Sequence, residues 1–475
     1  MSLKRKIYLL DPKKINQETI AVTFAKTSRS PLSFIDIANE LSDESSSQFH
    51  EKWVVGYGHS SVAEHAVLHI AVENISRLAV ETLESNRLAS YTEKSTRYQT
   101  WNQNAFFVPE ELSNADYKNE YVDLINDLFH FYHKSITIIR SKLEEKYPLT
   151  SEETNSARDR KIQSSCIDVC RFILPSASLA NVGVTINARE LEHAIKKMLS
   201  HPLLEVKNIG KEIKNIAINE IPTLVKYADE NSYLKNKKHE FSDTLDSNLN
   251  YQNRGTDWCQ LINFDREAEE NILAAILYRY GNNKIQDIKN QIRQLSSEKK
   301  DKLYEIIFNN LNTHDIPLRE LEYSSYIFDL TLDQGAYFEL KRHRMMSQTP
   351  QELNCSNGYA IPKLFNESNL SDEYIALMER VINLNKNLKS FNNEIASYIV
   401  PNAFNRNILI DLNYRSAFHF INLRTKPTAH FSIRRIAHRI AKDIQKSTPH
   451  LGKYLPTSSE ETHQDIEKEH FFRTS

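Results

Sequence analysis

The sequence predicts an α+β protein made of two tandem copies of a mostly helical domain with a small sheet. Three observations lead there: a long internal repeat, a stretch of period-two hydrophobicity at the same place in each copy, and helical periodicity over most of the remainder. The repeat is carried by two sets of landmarks. Arg171-Phe172-Ile173-Leu174-Pro175 is followed by Asn187-Ala188-Arg189 and His193, and Ser397-Tyr398-Ile399-Val400-Pro401 by Asn413-Tyr414-Arg415 and His419. Proline to asparagine is 12 residues in both, proline to arginine 14 and proline to histidine 18, all offset by 226. Upstream, Glu64 and Arg87 match Glu322 and Arg344, at separations of 23 and 22.

The elements follow from this frame. From Ala66 to Val72, Leu68, Ile70 and Val72 alternate with Val67, His69 and Ala71, which reads as a strand. Tyr326, Phe328, Leu330 and Leu332 repeat the rhythm in the second copy, again between the glutamate and the arginine. Tyr121, Leu124, Leu128, Tyr132 and Ile136 recur every three to four residues, as do Leu273, Ile276 and Tyr280, so helices are expected there. Residues 231–256, rich in Asn, Ser, Lys and Asp, read as a polar linker between a first copy at 1–230 and a second at 257–457. From Ser458 to Ser475 the chain reads as a polar tail that needs no core.

Composition bounds the function. The 475 residues carry 60 Lys+Arg and 62 Asp+Glu, a net charge of −2, which argues against a nucleic-acid backbone as main partner. Only 9 glycines are present, and neither G-x-G-x-x-G nor G-x(4)-G-K-[ST] can be written, so a nucleotide would have to be held by other devices. Cys166, Cys170, Cys259 and Cys355 show no C-x-x-C spacing, which suits a reducing compartment. The apolar run Ile7–Leu10 is too short for a signal peptide or membrane span, so a cytoplasmic protein without membrane partners is expected.

Candidate functional residues each have a plain alternative. Lys341-Arg342-His343-Arg344 crowds cations that a nearby anion would relieve, or is a solvated basic face. Glu93-x-Ser95-x-Arg97 would, in an extended segment, point a hydroxyl and a guanidinium the same way to hold phosphate, or is a polar surface loop. His59, His65 and His69 flank Glu64, but H-E-x-x-H fails at Ala66, and no metal is expected. The Asn-x-Arg-x(3)-His sets could be helix-surface polar residues, though their recurrence at one offset is poorly explained by coincidence.

These residues resemble the flavin-dependent thymidylate synthases, whose signature is R-H-R-x(7)-S. The run GHSSVAEH, then Arg87 with Ser95, Arg97 and Tyr98, then R-x-x-L-P and N-A-R-x-L, carry the resemblance in the first copy. Arg342-His343-Arg344, Asn413-x-Arg415 and Asn422-Leu423-Arg424 carry it in the second. The resemblance implies an antiparallel sheet in each copy and a pseudo-dimer within one chain. It also implies FAD as cofactor, with NADPH and methylenetetrahydrofolate as co-substrates in converting dUMP to dTMP. Flavin contacts would come from Ser28, His59, Ser61, Glu64, Arg87, Glu93, Asn187, Arg189 and His193, and from Arg342, His343, Arg344, Asn413, Arg415 and His419. The nucleotide would meet Ser95, Arg97 and Arg171, with Arg424 on the uracil as the catalytic arginine.

Each copy departs from the signature where the other keeps it. Ser85-Asn86 replaces Arg-His and Met198 stands opposite Arg424 in the first copy; Ser397 stands opposite Arg171 and the E-x-S-x-R run is missing in the second. The resemblance therefore implies composite sites and a homodimer that forms a pseudo-tetramer. Where the family places a glutamine before R-H-R, the copies carry Glu339 and Thr82. A carboxylate there would repel the uracil carbonyls unless protonated or turned away. Two other readings stay open: a flavoenzyme acting on another pyrimidine nucleotide, and a non-catalytic flavin- or nucleotide-binding paralogue.

Overall fold

The structure, a computed structural model, describes residues 6, 8, 10–28, 30–41, 43–56, 60–149, 154–244, 257–312, 315–458 and 460–473. These fall into two compact units whose membership does not follow the chain halves. The first takes its residues from Met1–Ser95, Ala105–Lys118 and Ala177–Tyr251; the second from Thr96–Asn104, Asn119–Ser176 and Gln252–Ser475. Two stretches of the first sequence copy, including Arg97 and Arg171, thus belong to the same unit as the second copy. Of the expected linker, Ser232–Thr244 is helical and 245–256 lies outside the described residues.

In the first unit, β1 (Val67–Ser76), β2 (Ala89–Glu93) and β3 (Leu179–Asn187) form an antiparallel sheet in the order β1-β3-β2. The expected alternation is present: Leu68 and Ile70 are buried while His69 and Ala71 face out. The strand runs beyond Val72 because a bulge there absorbs Asn74 at φ 58, a conformation that asparagine tolerates, and the Asn181 side chain accepts the Asn74 N–H at 2.9 Å. Ile186, Leu191 and Ile195 help to fill the apolar side, with Met198 among them at 1% exposure.

The second unit repeats this sheet and adds an edge. β4 (Cys259–Phe264), β5 (Tyr326–Asp333), β6 (Ser347–Pro350) and β8 (Asn405–Leu412) are ordered β4-β5-β8-β6, all antiparallel; β7 is the short Ile361–Pro362. Phe328, Leu330, Ile408 and Ile410 are fully buried, sharing one core with Ile433, Ile436 and Ile440 of helix Phe431–Ser447. The helix Tyr117–Lys146 buries Tyr121, Leu124, Leu128 and Tyr132, as its periodicity requires. In helix Ala268–Tyr280, Leu273 and Ile276 are buried but Tyr280 is 70% exposed, because the helix ends there and its last turn projects from the core.

The same local devices occur twice. β1 and β5 each end in an N-cap for a short helix: Ser76 accepts from Ala79 N at 3.0 Å, and Asp333 from Ala336 N at 2.9 Å. The cap's own partner is also repeated, with the chemistry exchanged. Ser76 Oγ donates to the Glu205 carboxylate at 2.6 Å, whereas Asp333 accepts from the Ser432 hydroxyl. Burial pushes the Asp333 carboxyl up, and Ser432 and the Ala336 amide oppose that.

The tail from Ser458 is not without a core. Helix His463–His470 opens on a capping box made by Thr462 and Asp465, and β9 (Phe471–Arg473) pairs with β7. Ile466 is fully buried, and the Phe471 ring stands edge-on to Phe431 at 5.2 Å. Arg435 lies 4.3 Å from the Trp258 ring centroid and 5.0 Å from that of Phe471. Few apolar residues do this work, which is why composition hid it. Ile466→Ala should cost roughly 2 to 5 kcal/mol, read from urea midpoints; a change below about 0.5 kcal/mol would make the tail dispensable. Among the described residues, no helix is long and apolar enough to cross a membrane.

Candidate functional site

The second unit gathers arginines from both sequence copies around one carboxylate. Glu339 stands near the end of helix Gln334–Leu340 and is 6% exposed. Its Oε1 accepts from Arg171 Nη2 at 3.1 Å and its Oε2 from Arg424 Nη1 at 2.8 Å. Burial alone would raise the Glu339 pKa, but Arg171, Arg424, Arg97 and Arg342 outweigh it and hold the carboxyl below its usual range. The glutamate is therefore ionised and faces guanidinium groups.

Each arginine has an identifiable support. Arg171, at 3% exposure, caps helix Asn155–Cys170 and donates Nη1 to Thr96 Oγ1 at 3.4 Å, while Asn402 Nδ2 donates to its carbonyl at 2.9 Å. Beside it, a Cβ at Gly335 would crowd the Asp333 carboxylate at 3.1 Å, while meeting Arg171 Nη2 at an ordinary 3.7 Å. Arg171 Nε is buried with no partner among the described residues. Arg424 ends helix Tyr414–Arg424, donating Nη2 to the Glu339 carbonyl at 3.2 Å and Nε to His343 Nε2 at 2.9 Å. That bond requires an unprotonated Nε2. Burial lowers the His343 pKa well below the ordinary value, and Arg424, His419 and Arg342 add to it, so the ring is neutral. Burial also disfavours the Arg424 charge; Glu339 partly restores it while Arg342, Arg97 and Arg171 oppose it. An arginine stays charged regardless, so the surplus of cations is real.

Arg97 is held from a turn, Thr96–Tyr98, not from the expected extended segment. Its Nε and Nη2 make a bidentate pair with Asp168, both at 2.8 Å, and Nη1 donates to the Thr428 carbonyl at 3.0 Å. Burial opposes the Arg97 charge, but Asp168 and then Glu339 more than compensate. His430 completes the support: its Nε2 is 3.0 Å from the Asp168 carbonyl and its Nδ1 accepts from Ser432 N, capping helix Phe431–Ser447. Asp168 also lines a cavity of about 430 Å³ with Lys146, Ser165, Phe431, Arg434 and His470, which neither Arg171 nor Arg424 lines.

The remaining candidates divide by unit. In the first, the Arg189–Glu64 pair (2.5 Å) is half exposed, and Ser28, Ser61, Arg87 and His193 are exposed. Glu93 is instead buried against Arg77 at 2.9 Å, because strand β2 turns it inward. Ser95 ends this unit, and His59 lies outside the described residues. In the second, Arg415 pairs with Glu322 at 2.5 Å, duplicating the Arg189–Glu64 pair; Arg342 and His419 are exposed and Arg344 half-buried. Asn187 and Asn413 are N-caps, accepting from Glu190 N and Ser416 N at 2.9 Å in both cases. Their side-chain oxygens cap the helices that start there, which gives the repeated asparagines a structural role.

Where the first copy departs from the signature, its structure has closed over. Met198 is part of the apolar interior, and Lys197 donates to Asn86 Oδ1 at 2.7 Å. In the second copy Ser397 donates to the Leu353 carbonyl at 2.8 Å. Asp168, Thr96, His430 and Asn402 were not found from the sequence. Asp168 is three residues before Arg171 and so near it on the helix, which was the one signal available.

This architecture and arginine cluster define a class: a tandem α+β protein in which arginines from both copies meet one buried carboxylate. The thymidylate synthase complementing protein family model matches residues 9–223 and 260–450, and the chain belongs to that family. It is 27% identical over 439 residues to a UPF0159 protein of Chlamydia muridarum, covering 88% of this chain and 82% of that protein. A UPF0159 protein of Thermoplasma acidophilum is 27% identical over 448 residues, 87% of this chain and 89% of the relative. A flavin-dependent thymidylate synthase of Clostridium tetani is 27% identical over 229 residues, 48% of this chain but 87% of the relative, as a two-copy chain requires.

Proposed function

We propose that the chain is a flavin-dependent thymidylate synthase that methylates dUMP at a nucleotide site pooled from copies 1–230 and 257–457. The observation that carries this is that Arg171 from one copy and Arg424 from the other both donate to Glu339, with the charge of Arg97 acting on the same carboxylate. Four guanidiniums around that carboxylate, with one unpartnered buried N–H on Arg171, suit a phosphate-bearing ligand. Arg97 and Arg171 would orient the nucleotide through its phosphate. Arg424 would favour negative charge developing on the uracil, and its bonds to His343 Nε2 and to the Glu339 backbone carbonyl keep it from reorganising during reaction.

Of the groups expected to meet a flavin, Ser61, Glu64, Arg87 and Arg189 are exposed in the first unit; within the second, Arg342 is exposed and Arg344 half-buried. Bound FAD would supply a hydride obtained from NADPH, with methylenetetrahydrofolate giving the carbon. Glu93, Asn187 and Asn413 are already committed and are better read as supports. A homodimer would assemble complete sets. The test is flavin absorbance of the purified protein, followed by dTMP formation from dUMP, methylenetetrahydrofolate and NADPH. Arg424→Ala should lower turnover of the flavin-loaded protein by about 100-fold or more while leaving most flavin bound. Unchanged turnover in the loaded fraction would remove Arg424 from the chemistry. Glu339 favours a second reading, a related flavoenzyme for another pyrimidine nucleotide, which the product of the same assay would distinguish.

A further inference from the structure

We propose that Glu339 is an internal counter-anion that holds Arg171 and Arg424 until a phosphate-bearing ligand replaces it, and thereby decides which anions the site accepts. This rests on the nucleotide-site reading above and adds a selectivity device to it.

The geometry is that of a ligand supplied by the chain itself. Each carboxylate oxygen takes one guanidinium, Oε1 that of Arg171 and Oε2 that of Arg424, so one side chain occupies both arginines assigned to the nucleotide. A single negative charge is nonetheless too little for its surroundings, since Arg97 and Arg342 act on the same group. Asp168 offsets Arg97 through its bidentate pair, which leaves the two guanidiniums of Arg171 and Arg424 sharing the one charge of Glu339. Arg171 Nε is buried and has no acceptor among the described residues. As placed, neither Glu339 oxygen accepts from that third N–H. A nucleotide can take the place of both carboxylate contacts: its phosphate, with more acceptor oxygens and up to two charges, meets Arg171 Nη2 and Nε, and a uracil oxygen meets Arg424.

The consequence is a threshold for entry. A neutral nucleoside offers these arginines nothing that Glu339 does not already give, and a monoanion only matches it. A dianion exceeds it. Selectivity would thus be set by an occupant that weaker ligands fail to displace.

Calorimetry at fixed ionic strength tests this, with inorganic phosphate, dUMP and deoxyuridine as probes against wild type, Glu339→Gln and Glu339→Asp. The carboxamide oxygen of Glu339→Gln can hold one arginine without neutralising it, so phosphate should bind about tenfold more tightly or better. Glu339→Asp keeps the charge and should stay within about threefold of wild type. Deoxyuridine should gain relative to dUMP in Glu339→Gln. Phosphate affinity that is unchanged or weaker in Glu339→Gln overturns the proposal. If phosphate tightens while dUMP binds to neither protein, the counter-anion role stands and the nucleotide reading falls. If dUMP binds wild type and Glu339→Gln equally, the nucleotide reading stands and the counter-anion role falls. Should Glu339→Gln fail to fold, wild-type crystals soaked in phosphate decide: Glu339 must leave Arg171 when the anion is bound there, and a carboxylate still bridging both arginines sinks the idea.

Discussion

Arg171→Met is expected to destabilise the second unit by about 3 kcal/mol or more, measured as the shift in urea midpoint at constant slope. The cost comes from what is left behind. Arg171 is 3% exposed, and removing its guanidinium leaves Glu339 Oε1 and Thr96 Oγ1 without their buried donor. Glu339 keeps Arg424, so the loss should fall at the lower end of the range for breaking a buried ion pair. Combining Arg171→Met with Glu339→Gln should cost less than the sum of the two, by roughly 0.5 to 3 kcal/mol, because the second change removes the charge that the first left stranded. Strict additivity would mean that the two side chains do not share their energy, and the site as described would be wrong.

Acid should destabilise this protein well above the range in which carboxylates titrate. His343 and His430 are held neutral by burial, with nearby arginines adding to the effect, so their native pKa values lie well below the ordinary one. The unfolded chain takes up protons at these imidazoles from about pH 6.5 downward, whereas the native protein does not. The unfolded state therefore binds more protons, and stability falls as the pH falls. Each such histidine should remove about 1.4 kcal/mol per pH unit below about 6.5, until the native group itself titrates. His50, His438, His463 and His470, the last lowered to about 4, act in the same direction. Glu339 acts only later: its ion pairs are complete above the usual carboxylate range and are lost as pH drops through its lowered native value. Denaturation at about pH 7.5 and 5.5 should show the loss, and His430→Asn should reduce its slope. A flat profile over that interval would mean that these rings are protonated in the native protein.

What could be read from the sequence depended on whether partners lay within one element or in distant ones. The strands around Ile70 and Phe328 followed from alternation, and the repeat located equivalent elements to within a residue or two. Spacing alone, however, could not separate a contact from a cap: Asn187 and Asn413 recur because a helix starts at each. The arginines came from the resemblance, yet their environment did not, since Asp168 is 71 residues from Arg97, and His430 is 262 from Asp168. From sequence, Glu339 reads as a group that would repel uracil carbonyls unless protonated or turned away; that Arg171 and Arg424 hold it is invisible there because they lie 168 and 85 residues distant. Ser95 and Arg97 were expected in one extended run because nothing local announced the turn at Thr96.

The exchanged cap partners bear on how such a chain persists. A serine answered by a glutamate in one half, and an aspartate answered by a serine in the other, are interchangeable only as complete pairs. Were genetic recombination to copy one member of a pair across and not its mate, two acids would meet in a buried place, or two hydroxyls would face each other with the charge gone. Duplicated halves that have diverged in this way resist being made alike again, which leaves each free to keep a different share of the original machinery.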